Sequence, residues 1–281
     1  MNDASWPAPA KINLFLHVTG RRADGYHLLQ TVFQFLDHGD ALSFTPRGDG
    51  VIRRTTPLAG IPEHQDLTVR AAALLKKFTG SSLGVDIAVE KRLPMGAGLG
   101  GGSSDAATTL QALNRLWGLN LPEGRLAELG LHLGADVPVF VHGRAAWAEG
   151  VGERLIPIDL PEPWYVVVVP PCHVSTAEIF AARELTRNAP PLTIAAFLSG
   201  SGGNMCEAVV CRRYPEVGRA LAWLSGYAPA RMSGTGAAVF AAFADRGRAQ
   251  SVAEAVPAPW RVFTAQGRNR SPLHERLIKE S

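Results

Sequence analysis

Glycine fills five of the seven positions from Gly96 to Gly102, and the run continues into Ser103, Ser104 and Asp105. The full stretch reads Leu93-Pro-Met-Gly-Ala-Gly-Leu-Gly-Gly-Gly-Ser-Ser-Asp105. Ahead of it, Val85, Ile87 and Val89 alternate with polar or small residues, the pattern of a half-buried strand. Behind it, Ala106, Leu110, Leu113 and Trp117 recur at helical spacing. A glycine loop between a strand and a helix start is suited to binding phosphate. The first N–H groups of the helix are free, its dipole is positive there, and glycine lets the backbone approach closely. A flexible linker is the bland alternative, but linkers are seldom pinned between a strand and a helix. The Walker A pattern is excluded because no lysine follows the glycines. Gly96, Gly98 and Gly101 satisfy a formal G-x-G-x-x-G, yet no acid ends a following strand, and Glu123 sits at a helix start instead.

Other residues admit both a structural and a chemical reading. Within Ala10–Val18, Ile12, Leu14, Leu16 and Val18 share one strand face, which leaves Lys11 and Asn13 on the other. A lysine placed so is ordinarily just solvated. Asp136 lies in Gly134-Ala-Asp-Val-Pro138, the context of an N-cap or Asx-turn aspartate. Asp24-Gly-Tyr-His27 reads as a turn, with Tyr26 a buried aromatic and His27 a surface residue. Ser233-Gly-Thr-Gly236 reads as a tight turn before an apolar strand. Ser199-Gly-Ser-Gly-Gly203 has no strand leading into it and reads as a surface loop.

The elements that must position these residues follow from periodicity. Strands are predicted at Ala10–Val18, 28–36 and 41–44, and a helix at Leu67–Phe78. The strand and glycine loop come next, then a helix over 123–133 that stops at Gly134. Pro157, Pro161 and Pro163 precede a buried strand at Tyr165–Val169, so a domain boundary is expected there, dividing 1–156 from 157–281. No internal repeat is visible. At 281 residues and 30.0 kDa the chain has length for roughly two domains. Its net charge is +3 and its basic residues are scattered, which suits anionic small molecules and not nucleic acid. The longest apolar run, Trp164 to Val169, cannot span a membrane. Cys172, Cys206 and Cys211 lack metal or disulfide spacing, and the first residues lack a signal-peptide layout. A reduced, cytoplasmic protein is expected, either a monomer or a weak homodimer.

The glycine loop resembles the phosphate loop of the GHMP small-molecule kinases. Pro9-Ala-Lys-Ile-Asn-Leu14 is similar to their first motif and Arg231-Met-Ser-Gly-Thr-Gly-Ala237 to their third. Lys11-Ile-Asn-Leu14, Asp24-Gly-Tyr-His27, Leu133-Gly-Ala-Asp-Val-Pro-Val-Phe140 and Glu149-Gly-Val-Gly152 resemble one branch more closely. Its members phosphorylate the 2-hydroxyl of 4-diphosphocytidyl-2-C-methyl-D-erythritol, in the non-mevalonate route to isoprenoid precursors. The likeness runs from about Pro9 to Leu273. Ala97 departs from it where related loops carry glycine, which is tolerable if φ there is negative. Asn204-Met-Cys-Glu207 resembles an Asn-Asp-x-Glu segment with the aspartate replaced.

The resemblance implies an α+β, two-domain kinase using ATP and Mg²⁺. An N-terminal nucleotide domain of the ribosomal-protein-S5-domain-2 type would face a C-terminal ferredoxin-like α/β sandwich. ATP would lie on Pro94, Met95, Gly96, Ala97, Gly98, Leu99, Gly100, Gly101, Gly102, Ser103 and Ser104. The serines would cap the helix, with Ser104 also the candidate for touching Mg²⁺. Asp136 would take the hydroxyl proton, and Lys11 would stabilise charge on the attacking oxygen. Asn13 would help hold the substrate, and Thr176 would lie near its diphosphate or erythritol part. Tyr26 and Phe180 would sandwich the cytosine, with His27 reading its edge. The Ser233–Gly236 turn would pack on the phosphate loop. A kinase for another alcohol would not need Tyr26, His27 and Phe180 as a set. A non-catalytic ATP-binding regulator would have no use for Lys11 with Asp136.

Overall fold

The computed structural model describes residues 5–279. Two long strands come first, β1 (Trp6–Arg21) and β2 (His27–Arg47), joined by a turn in which Asp24 accepts the Tyr26 N–H at 3.2 Å. The separate strands predicted at 28–36 and 41–44 are one strand. Gly39 stays paired with Pro9, and a Cβ there would stand 2.2 Å from the Ala8 carbonyl oxygen, so only glycine lets the ladder continue. Asp40 is tolerated in the interior because its Oδ1 accepts the N–H groups of Arg92 and Leu93 at 2.6 and 2.8 Å.

The chain continues through β3 (Ile52–Arg54), α1 (Leu67–Thr79) and β4 (Gly84–Glu90). Asp66 caps α1 by accepting the Thr68 N–H at 2.7 Å, and Gly80 ends it at φ 70°. The glycine loop then enters α2 (Gly101–Leu116), whose Ala106, Ala107, Leu110 and Leu113 are buried. The capping expected of Ser103 and Ser104 does not occur. The cap position is Gly100 at φ 73°, and both serines lie inside the first turn. After α3 (Glu123–Leu131), which ends short of Leu133, come α4 (Val137–His142), β5 (Ala146–Glu149), β6 (Arg154–Pro157) and β7 (Trp164–Val169). The remaining elements are α5 (Thr176–Ala181), α6 (Ile194–Leu198), α7 (Glu207–Arg213), α8 (Pro215–Ser225), β8 (Ala230–Met232), β9 (Val239–Phe243), α9 (Arg246–Glu254), β10 (Arg261–Arg268) and α10 (Pro272–Lys279).

The strands form one sheet in the order β3-β4-β2-β10-β7-β9-β8, with β1 and β5 also on β2 and β6 on β5. In the first half, α1 to α4 cover a core that includes Phe33, Phe35, Val85, Ile87 and Leu110. In the second, the antiparallel strands β10-β7-β9-β8 are backed by α8 and α9, which is the expected α/β sandwich around Val166, Val168, Leu224 and Val239. The cores do not follow a single cut in the chain. A register shift between Asn13 and Leu16 sends Leu16 and Val18 into the second core, and Leu273 of α10 returns to the first. Ser199–Gly203 is a loop, as read. Among the described residues no helix is long and apolar enough to cross a membrane.

Candidate functional site

The glycine loop takes left-handed conformations at Gly96, Gly98 and Gly100, with φ of 66°, 75° and 73°. At Gly98 the reason is contact as well as conformation: a Cβ would lie 2.3 Å from the Ser233 carbonyl oxygen. The Ser233 hydroxyl donates to the Gly98 carbonyl at 2.9 Å, and the Ala238 N–H to that of Ala97 at 3.0 Å. The turn after β8 therefore braces the loop, as expected. Ala97 is buried without positive φ, so alanine is tolerated there. The helical ladder begins with Ser104 N–H to Gly100, which leaves the N–H groups of Gly101, Gly102 and Ser103 ahead of it.

Lys11 is buried, 3% exposed, and is not the solvated lysine its strand position suggests. Its Nζ lies 3.2 Å from Asp136 Oδ2, 2.6 Å from Asn13 Oδ1 and 3.2 Å from the Gly98 carbonyl oxygen. Asn13 in turn donates to Thr31 Oγ1 at 2.9 Å, so both ends of its amide serve to orient Lys11. Asp136 occupies the N-cap position of α4 but makes no capping bond with its side chain. Its carboxylate turns toward Lys11 instead.

Two cavities meet at this pair. One, of about 590 Å³, is lined by Lys11, Asn13 and the loop from Pro94 to Ser103, and reaches Leu58, Ile61, Leu67, Lys91 and Asp105. The other, of about 720 Å³, is lined by Tyr26, His27, Ala177 and Phe180. Asp136, Ser103, Val151, Thr176 and Phe180 belong to both. Thr176 holds Thr235 at 2.8 Å through the two hydroxyl oxygens. The structure brings His27 onto Phe180, with ring centroids 5.0 Å apart and planes 22° apart, while Tyr26 stands 64% exposed at the rim. Ser104 does not line either cavity, and its hydroxyl is buried with no hydrogen-bond partner.

Several contacts around the site are set only by the fold. Beneath the loop, Lys91 bridges Asp40 and Asp105, the latter at 2.8 Å. Burial pushes the Asp105 carboxyl up to about 7, against the pull of Lys91, and Asp40 adds to the rise. Asn204 donates to the carbonyls of Met232 and Gly234 at 2.9 and 2.7 Å, and Glu207 accepts the Met232 N–H at 3.1 Å. The segment missing its aspartate thus supports the turn that braces the loop. Arg187 donates to His27 Nε2 at 3.1 Å. Burial first, then Arg187 and Arg21, lower the His27 pKa below its ordinary value.

Comparison with known proteins meets the same architecture. Residues 66–144 match the GHMP kinases N terminal domain and residues 203–262 the GHMP kinases C terminal domain. A 4-diphosphocytidyl-2-C-methyl-D-erythritol kinase of Nitrosococcus oceani is 57% identical, the match covering 98% of each chain. One of Alkalilimnicola ehrlichii is 61% identical over 98% of this chain and 94% of its own. The chain belongs to the 4-diphosphocytidyl-2-C-methyl-D-erythritol kinase family. A crystal structure of 4-(cytidine 5'-diphospho)-2C-methyl-D-erythritol kinase superposes with a TM-score of 0.82 at 36% identity, covering 94% of this chain and 98% of that one. Homoserine kinase from Cytophaga hutchinsonii shares the fold alone, with a TM-score of 0.66 at 15% identity and 96% and 97% coverage.

Proposed function

We propose that this chain transfers the γ-phosphate of ATP to the 2-hydroxyl of 4-diphosphocytidyl-2-C-methyl-D-erythritol, as the family's name describes, in the non-mevalonate supply of isoprenoid precursors. The observation that carries this reading is the Lys11–Asp136 pair at the junction of two cavities, one built for phosphate and one ringed by aromatics. ATP lies on Pro94–Ser103, its phosphates on the free N–H groups of the loop and its base toward Leu58, Ile61 and Leu67; Ser104, buried behind the loop, is not among its contacts. The cytidine substrate fills the other cavity, its base between Tyr26 and Phe180 with His27 at its edge, and its diphosphate near Thr176. Asp136 takes the proton of the 2-hydroxyl while that oxygen bonds to the γ-phosphorus. The bond from the γ-phosphorus to its bridging oxygen breaks, and ADP leaves. Lys11, fixed by Asn13, offsets charge on the attacking oxygen.

Mg²⁺ accompanies the nucleotide in this reading. Among the described residues no cluster of three or more acidic, histidine or cysteine side chains offers a protein-built cage. The Asp136 carboxylate and Ser103 hydroxyl are oxygen donors at the junction, and a magnesium ion held mainly by phosphates and water needs few others. The buried hydroxyl of Ser104 is unsuited to that contact. We place the enzyme in the cytoplasm, a reading supported by three free cysteines, and read it as a monomer or weak homodimer.

An ADP-release assay over a panel of alcohols tests the assignment. Turnover with 4-diphosphocytidyl-2-C-methyl-D-erythritol and not with homoserine or mevalonate is expected, and the reverse preference would overturn it. Tyr26→Ala and Phe180→Ala should each raise KM for the cytidine substrate roughly 5- to 150-fold, the loss of about 1–3 kcal/mol of stacking. KM for ATP should hold.

A further inference from the structure

Arg187 lies in the coil between α5 and α6, away from the motifs of the site, yet its guanidinium makes four contacts at the edge of the second cavity. It donates to the Phe180 carbonyl at 2.8 Å, to Ala182 at 2.6 Å and to Leu185 at 3.2 Å, all at the end of α5 or just beyond. Its Nε–H donates to His27 Nε2 at 3.1 Å. A guanidinium has only donors and never loses its charge in a protein. Nε2 of His27 is therefore an acceptor, and a neutral His27 must carry its proton on Nδ1. Among the described residues Nδ1 has no hydrogen-bond partner, and His27 lines the cavity with its ring stacked on Phe180. Burial and the cations of Arg187 and Arg21 oppose a second proton on the ring.

We infer that Arg187 is a positioning residue for base recognition, holding His27 in the tautomer that presents Nδ1–H to the pyrimidine edge. This inference rests on the reading that the second cavity takes cytosine. A donor at that point pairs with cytosine N3, which is an acceptor, and opposes uracil N3, which bears a hydrogen. The contacts to Phe180, Ala182 and Leu185 serve the same end: one side chain sets the tautomer of His27 and fixes the backbone carrying the ring it stacks on. Without Arg187, imidazole is free to move its proton to Nε2, and Nδ1 becomes an acceptor that suits uracil.

The test uses the full chain with 15N-labelled histidine. In the wild type, His27 should show a protonated Nδ1 and a bare Nε2 at pH 7.5; a protonated Nε2 there overturns the inference with no mutation needed. Arg187→Met should shift that signature toward Nε2–H. It should also shrink the preference for cytidine 5'-diphosphate over uridine 5'-diphosphate, as competitors of the alcohol substrate, by about tenfold. KM for the cytidine substrate should rise while kcat and KM for ATP stay near wild type. A merely structural role would lower thermal stability and leave the tautomer and the base preference unmoved, which overturns the inference alone. If the wild type shows no preference between the two diphosphates, the cytosine reading itself fails.

Discussion

At the scale of single residues, the site turns on a buried lysine facing a partly exposed carboxylate. Lys11 and Asp136 come from elements far apart in the chain, and neither is recognisable alone: one looks like a solvated lysine, the other like a cap. Asp136→Asn and Lys11→Ala should each lower kcat by on the order of 10²-fold or more with nucleotide affinity little changed, checked by steady-state kinetics and calorimetric titration. A folded variant with near wild-type kcat would remove that residue from the chemistry. Asp105 makes a prediction about stability. Its folded pKa of about 7 lies above the ordinary 3.8, chiefly through burial. Between those values the folded chain holds a proton that the unfolded chain has released, so this group's contribution falls as pH rises through the window. Asp105→Asn keeps the shape and removes the titration. The gain in Tm over wild type should therefore be larger at pH 8 than at pH 5, and an equal difference at both would contradict the assignment. Sequence pattern gave no hint of this cluster, since Asp40, Lys91 and Asp105 meet only through the fold.

At the scale of elements, the loop was legible and its supports were not. Strand, glycines and helix each have their own period, so the join between them is readable. What the glycines touch is set by the turn after β8, which no local pattern announces. This divides glycines that look alike in the sequence. Gly98→Ala forces a left-handed residue against the Ser233 carbonyl and should cost at least about 2 kcal/mol in addition to weakening ATP binding. Gly101 is helical, and a Cβ there meets nothing nearer than 3.4 Å, so Gly101→Ala should leave stability close to wild type. Urea unfolding of the two variants compares them directly; equal losses would mean the brace carries no weight. The break predicted within β2 failed for a related reason. Gly39 and Asp40 are turn-like by type, and only their partners, Pro9 on one side and Arg92 with Leu93 on the other, make them strand residues.

At the scale of the whole molecule, fold class and the general order of elements were readable, whereas the closing of the sheet was not. β10 pairs with β7 along its length and also reaches β2 at Gly267–Leu36 and Arg268–Phe35, joining the two halves. α10 then crosses back, with Leu273 fully in the first core and Arg276 donating to the Ser5 carbonyl at 2.6 Å. Long-range returns of this kind leave no periodic trace, because the residues that make them obey only their own element's pattern. Leu273→Ala should destabilise the protein by about 2–5 kcal/mol although Leu273 lines neither cavity, with KM values unchanged in the folded fraction. A loss under 1 kcal/mol by urea denaturation would show that α10 is an ornament to the core and not part of it. The return of α10 also bears on how the protein is made. Synthesis delivers β1 long before Leu273, so the nascent chain carries an apolar face that stays uncovered while the second half is still being translated. The first core can be completed only after that residue clears the ribosome, and a chain interrupted near residue 157 is a substrate for chaperones or proteases before it is ever an enzyme.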